Sequence, residues 1–291
     1  MYAAGLSKYS TMQRDYYDRP DVSTEALVGC YDYHENFPYE TFLLHINGDI
    51  RKPILSSTKD KHALDIACGE GRMIRRMSKF FGAVDGVDIS TKMVAAARLR
   101  CPRSRIYLTH GTNCGAALEN HYDFAYCTIS LQHICVHEIR TSILRDVVRV
   151  LNSDGTMTLQ MLFSKHFPYV PVGQRNDKRG DQDAVVQIYA NTGQHAQWME
   201  NRVDATSTNS DCDVVFGEKD IALVKSEMEK LFERCEMWFF DISIGRGGTP
   251  RILPFIHPNA HIGNNYWDYW GTHFAFIHCS GPRKDVAQTA R

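Results

Sequence analysis

The sequence predicts an α/β fold, a mostly parallel sheet with helices on both faces. Two observations carry that prediction. Between residues 61 and 162, short apolar runs alternate with amphipathic stretches of helical period, as parallel strands and their crossover helices do. The first of those runs, Ala63–Ala67, passes straight into Cys68-Gly69-Glu70-Gly71, a tight turn from strand to helix.

The elements follow in order. After the first strand, Met73, Ile74, Met77, Phe80 and Phe81 fall on one helical face, with Arg72, Arg75, Arg76 and Lys79 on the other side. Val84–Ile89 is the second strand. Ser90 or Thr91 caps a helix carrying Met93, Val94 and Ala97, which Pro102 stops. Arg105–Thr109 and Phe124–Ser130 are the third and fourth strands. Ile139, Ile143, Leu144, Val147, Val148 and Leu151 make a long helix face, Asn152–Gly155 a turn, and Thr156–Leu162 the fifth strand. Upstream, residues 32–44 read as a Pro-started helix within a tyrosine-rich segment. Downstream, the polar stretch 163–213 breaks the rhythm and reads as an insertion or lid, with a short helix near Ala196–Asn201. Ile221, Val224, Met228, Leu231 and Phe232 restore a helix face. Glu236–Ile244 is a strand, 245–271 a loop and His273–Cys279 the last strand. The chain divides as one domain: an aromatic cap (1–55), a ligand-binding core (56–162), the insertion (163–213) and C-terminal strands (214–291).

At 291 residues and 43% hydrophobic, the chain can bury a normal core. A net charge of −1 gives no global footprint for nucleic acid or an anionic membrane, so neither is expected as a partner. No apolar run approaches the roughly 20 residues that cross a bilayer, and Met1–Ser10 lacks a signal peptide's apolar region. Nine cysteines without a CxxC pair read as a reducing, cytoplasmic setting with no disulfide framework.

The glycine turn and the end of the second strand point to a ligand. Gly69 and Gly71 let backbone approach it closely, and Asp88 can accept both hydroxyls of a ribose. A dinucleotide fingerprint needs a third glycine where Ile74 stands, and Asp65 would repel phosphate while suiting a cationic amino-acid group. Other readings stay open. Gly69 and Gly71 could mark any tight turn, and Asp88 could only cap the next helix. Cys68 reads as packing rather than as a nucleophile. Arg72 is a solvated helix residue or the partner of a carboxylate.

Leu64-Asp-Ile-Ala-Cys-Gly-Glu-Gly-Arg72, Val84-Asp-Gly-Val-Asp-Ile-Ser90, Leu131-Gln-His-Ile134, Arg149–Gly155 and Leu159-Gln160 together resemble class I S-adenosylmethionine (SAM) dependent methyltransferases. The resemblance spans about 61–162 and, more loosely, 214–280. It implies a seven-stranded mixed sheet in the order 3-2-1-4-5-7-6 with the last strand antiparallel, and SAM as cofactor. It implies Asp65 and Gly69 near the methionine amino group, Gly71 beneath the sugar, Asp88 on the ribose, and Ile89 and Met93 beside adenine. Ala67, in place of the usual first glycine, Cys68, Arg72 and Ser130 complete the cofactor set. Thr112 and Asn113 stand where the family usually has an acidic residue facing the adenine amine, and Asn113 could supply that acceptor.

Methyl transfer to an oxygen or nitrogen of a small molecule is the implied reaction, much of it positioning and desolvation. His133, just past the fourth strand, is either the base that takes the acceptor's proton or a histidine that shapes the turn. Tyr31, Tyr33, His34 and Tyr39 read as a lid over cofactor and acceptor or as ordinary helix packing. His257, Tyr266 and Trp267 read as acceptor-pocket wall. Pro258 directly after His257 argues against a helical metal-ligand pair with His261, so no metal is expected. The alternatives are an NAD-dependent oxidoreductase, a non-catalytic SAM-binding protein, and a methyltransferase acting on a peptide or RNA.

Overall fold

The computed structural model describes residues 2–22, 38–46, 49–164, 195–196, 198–199, 213–217, 220–240, 242–244, 250–252 and 273–285. Helix α1 (Tyr2–Tyr17) opens the chain, and α2 (Tyr39–Leu44) follows Pro38. The core runs β1 (His62–Ile66), α3 (Arg72–Met77), β2 (Ala83–Asp88), α4 (Thr91–Arg100), β3 (Ile106–Leu108), β4 (Tyr122–Cys127), a 3-10 turn (Leu131–His133), α5 (His137–Val150) and β5 (Leu151–Ser164). Beyond it come β6 (His195–Ala196), β7 (Asp213–Gly217), α6 (Ile221–Glu229), β8 (Phe232–Phe240), β9 (Ile242–Ile244), β10 (Pro250–Ile252) and β11 (His273–Pro282).

The main path across the sheet is β3-β2-β1-β4-β5-β11-β8. With the short strands β6, β7, β9 and β10 set aside, that is the expected order 3-2-1-4-5-7-6. β1 to β5 pair in parallel, and β11 runs antiparallel between β5 and β8. The sheet has nine strands rather than seven, because β5 outruns β4. β4 pairs as far as Cys127 with Leu159, and Leu162–Ser164 then pair with β7, which in turn holds β6.

The two faces are covered differently. Ile139, Ile143, Leu144, Val147 and Val148 of α5 and Val224 and Met228 of α6 pack one face with Leu64, Ala125, Leu159 and Ile277. Tyr39, Phe42 and Leu43 of α2, Met73, Ile74 and Met77 of α3, and Val94 and Ala97 of α4 pack the other with Phe124, Tyr126, Trp238 and Phe276. Burial on both faces is why β4 is apolar along nearly its whole length. Each large apolar side chain so removed from water contributes about 1.5–3 kcal/mol before entropy is counted.

Several expectations are corrected. Residues 195–196 are strand and 198–199 a turn, where a short helix was expected, because the backbone of β6 finds a partner in β7. Asn152–Gly155 continue β5 instead of turning, and the pairing with β4 absorbs them as an irregularity between Tyr122 and Phe124. α3 stops at Met77, so Phe80 swings to the surface at 36% exposure while Phe81 stays buried. The 245–271 loop contains β10, paired with β9. Cys135 is disulfide-bonded, against the expectation of no such framework; Cys68, Cys101, Cys114, Cys127, Cys235 and Cys279 are free. Among the described residues no helix is long and apolar enough to cross a membrane.

Candidate active site

The turn after β1 is built from left-handed backbone. Ala67, Gly69 and Gly71 have φ of 57°, 53° and 83°. Gly71 is needed twice over, because a Cβ there would lie 2.7 Å from Cys101 Sγ on α4's far end. Its back thus faces α4, and it does not line the cavity described below. Ala67 holds a conformation that L residues adopt at a cost of about 1–2 kcal/mol.

Asp88, at the end of β2, ties the turn to the next helix. Its Oδ2 accepts from Gly69 N at 2.8 Å and its Oδ1 from Ser90 N at 2.9 Å. Ser90 is the cap of α4, its Oγ accepting from Met93 N at 3.0 Å. Burial pushes the Asp88 carboxyl up from its ordinary value, with Asp18's charge adding to the effect and the backbone N–H groups opposing it.

Asp65 lies opposite Gly86 on β2 and Tyr126 on β4, 2% exposed. Its Oδ2 has no hydrogen-bond partner. Burial raises its carboxyl well above the usual range, against the pull of the Arg72 guanidinium. The Cys68 thiol is likewise pushed well up, by burial and by the charges of Asp88 and Asp65. It stays a thiol, which fits packing and not nucleophilic chemistry.

These groups surround one cavity of about 180 Å³ at the carboxyl edge of the sheet. Asp65, Ala67, Cys68, Gly69, Arg72, Asp88, Ile89, Met93, Ser130 and His133 line it, so the structure brings together ten of the residues singled out from sequence. Ser130 Oγ joins its far wall to the glycine turn by donating to Ala67 O at 3.3 Å.

Other expected residues fall elsewhere. Thr112 and Asn113 are not among the lining residues, and Asn113 Oδ1 accepts from Gly115 N at 2.9 Å, closing its own turn. Tyr39 is fully buried behind Arg72, whose guanidinium carbon is 5.2 Å from its ring centre, with Arg76 5.7 Å away. Arg76 in turn pairs with Glu40. Tyr31, Tyr33, His34, His257, Tyr266 and Trp267 lie outside the described residues.

Sequence reasoning missed the contribution of α1. Gln13 and Tyr17 line the cavity, and Tyr9 and Gln13 hold the 3-10 turn that carries His133. His133 O accepts from Gln13 Nε2 at 2.8 Å and from Tyr9 OH at 3.3 Å, and Cys135 N donates to the same Tyr9 hydroxyl at 2.9 Å. The available signal was the spacing Tyr9, Gln13, Tyr17, four residues apart on one helical face. It is easily passed over, because the face is polar.

Residues 63–155 match a family described as a methyltransferase domain. Over 74 residues the chain is 34% identical to dTDP-3-amino-3,6-dideoxy-alpha-D-glucopyranose N,N-dimethyltransferase of Streptomyces fradiae, covering 25% of this chain and 28% of that protein. Over 92 residues it is 30% identical to nodulation protein S of Azorhizobium caulinodans, covering 32% of this chain and 44% of that one. The chain thus spans less than half the length of either relative. A solved SAM-dependent methyltransferase of Methanosarcina mazei aligns with 76% of this chain and 93% of its own, at 16% identity and a TM-score of 0.48. The match to the methyltransferase domain thus covers residues 63–155, the stretch that carries the glycine turn, Asp88 and His133.

Proposed function

We propose that the chain transfers a methyl group from SAM to a nitrogen or oxygen of a small-molecule acceptor. The observation that carries this reading is Asp65: a buried carboxyl whose Oδ2 makes no hydrogen bond, on the wall of the cavity that also holds Asp88 and His133. Arg72 and the Tyr126 hydroxyl act on this carboxyl, yet they leave Oδ2 without a hydrogen bond; a buried carboxylate oxygen so left is costly, and an ammonium group relieves that cost. The α-amino group of SAM has that charge, so the donor set fits the cofactor. NAD, with its pyrophosphate, would place negative charge against the same carboxylate.

When bound, SAM supplies a methyl group already made electrophilic by a sulfonium. The chain's own residues then position and desolvate. Asp88 can accept the ribose hydroxyls with the lone pairs that Gly69 N and Ser90 N leave unused. Met73, Ile129 and Ile134 give the cavity apolar walls that exclude water. His133, half-buried on the wall and anchored through its own carbonyl by α1, takes the proton that the acceptor releases. A relative named as an amino-sugar N,N-dimethyltransferase supports nitrogen as the atom methylated. The six free thiols among the described residues support a cytoplasmic setting, and the disulfide at Cys135 runs against it.

Methyl transfer from isotope-labelled SAM into a small-molecule extract, followed by mass spectrometry, tests the reading. We expect a labelled product in the wild type and a turnover about 100-fold lower in His133→Ala. Full turnover in that variant would remove the base. SAM binding without product from any pool would leave a binding protein and not an enzyme.

A further inference from the structure

Ile89 and Met93, which the SAM reading sets beside the adenine, are apolar residues lining the cavity. An adenine there presents an exocyclic amine, which needs an acceptor. The loop after β3 does not provide one within the cavity, since Asn113 Oδ1 is bonded to Gly115 N. Two polar side chains of α1, Gln13 and Tyr17, line the same cavity.

Gln13 Nε2 donates to His133 O at 2.8 Å and to Tyr9 OH at 3.2 Å. A carbonyl oxygen only accepts, so the amide's orientation is set: its NH₂ faces His133 and its Oε1 is the atom left for a ligand. Ser10, three residues earlier, is 6% exposed, and its hydroxyl has no hydrogen-bond partner. It is not among the lining residues, but it lies close behind Ile89: a Cβ on Gly111 would come within 2.5 Å of Ile89 Cδ1 and 3.2 Å of Ser10 Oγ.

The C-terminal end of the helix is fastened to the start of α4. Asp18 Oδ1 accepts from Ser90 Oγ at 2.7 Å and from Lys92 N at 3.1 Å. Lys92 Nζ donates to the carbonyls of Arg19 at 2.6 Å, Pro20 at 3.2 Å and Val22. Asp18 therefore caps the start of α4 and Lys92 holds the chain that leaves α1, which pre-organises α1 beside the cavity.

We propose that α1 reads the adenine of the cofactor: Gln13 Oε1 accepts from its amine, with Ser10 Oγ beside it, in place of a side chain from the loop after β3. The proposal rests on the SAM reading above. An acceptor held in position by a second bond discriminates between a donor and an acceptor on the ligand. The probes are S-adenosylhomocysteine and S-inosylhomocysteine, which differ by an amine against a carbonyl at that edge.

Titration calorimetry of both probes into wild type, Gln13→Ala, Ser10→Ala and Asn113→Ala is the experiment. We expect the wild type to prefer the adenosine compound about tenfold or more. Gln13→Ala should bring the ratio to within about twofold and Ser10→Ala should lower it, while Asn113→Ala leaves it unchanged. The ratio is measured on folded protein alone, so lost stability in Gln13→Ala does not imitate the effect. Retained discrimination in Gln13→Ala, loss of it in Asn113→Ala, or none in the wild type overturns the proposal alone. A wild type that binds neither probe overturns the cofactor reading and this inference with it.

Discussion

Asp65→Asn should stabilise the ligand-free protein and weaken cofactor binding at the same time. The folded protein holds the Asp65 carboxyl well above its ordinary value, chiefly through burial. A carboxyl raised on folding contributes stability below its unfolded value and loses that contribution as pH rises through the folded value. At higher pH the ionised group is carried at a cost, with Oδ2 unbonded. Asparagine keeps the shape and removes the charge, which should return about 1–3 kcal/mol. For a chain of this size that is about 2–4 °C in Tm per kcal/mol. The same change removes a charge-assisted hydrogen bond to the ligand's amine, about 1.5–3 kcal/mol, or roughly 10- to 150-fold in Kd. Thermal melts with and without S-adenosylhomocysteine, together with calorimetry, read both effects. A lower ligand-free Tm with unchanged affinity would refute the reasoning, because Asp65 would then be a structural carboxylate.

Three further outcomes follow from the geometry. Ala67→Gly should raise stability by about 0.5–1 kcal/mol by denaturant titration, the relief of a left-handed φ less the entropy of glycine; destabilisation would contradict that backbone. Gly71→Ala should cost about 2–4 kcal/mol, from the positive φ and the contact with Cys101 Sγ, and Cys101→Ala should recover part of it; full stability in Gly71→Ala would show the turn to be slack. His278 is buried against Thr158 Oγ1 at 3.0 Å and its pKa is pushed down to about 4, mainly by burial. Its contribution is therefore present above the unfolded value of 6.5 and lost as pH falls toward 4, about 3 kcal/mol in all, and His278→Gln should flatten the stability profile across that window.

The parts of the site that are legible in the sequence are those made by short stretches of chain. The turn at 67–71 and the carboxylate at Asp88 are local consequences of a strand ending where a helix begins; alternation of apolar runs carries the strands and helices, while the sheet order comes only with the family resemblance. What escapes is made by contacts distant in sequence. Gln13 reaches His133 across 120 residues, and the spacing that marks it, Tyr9, Gln13 and Tyr17, is one of polar and aromatic residues rather than an apolar stripe. Asn113 lies off the cavity lining for the opposite reason. Its position after β3 suits a ligand, but a side-chain amide two residues before Gly115 closes a turn first. Phe80 shows a third limit: helical spacing continues through it, yet the helix itself ends at Met77.

The central claim is that the cavity between Asp65, Asp88 and His133 is built for SAM. Isothermal titration of the intact chain with SAM tests it most directly. The account predicts saturable binding at one site, displaced by S-adenosylhomocysteine and weakened by Asp88→Asn, with no heat from NAD. Absence of SAM binding, or saturable binding of NAD in its place, would contradict it.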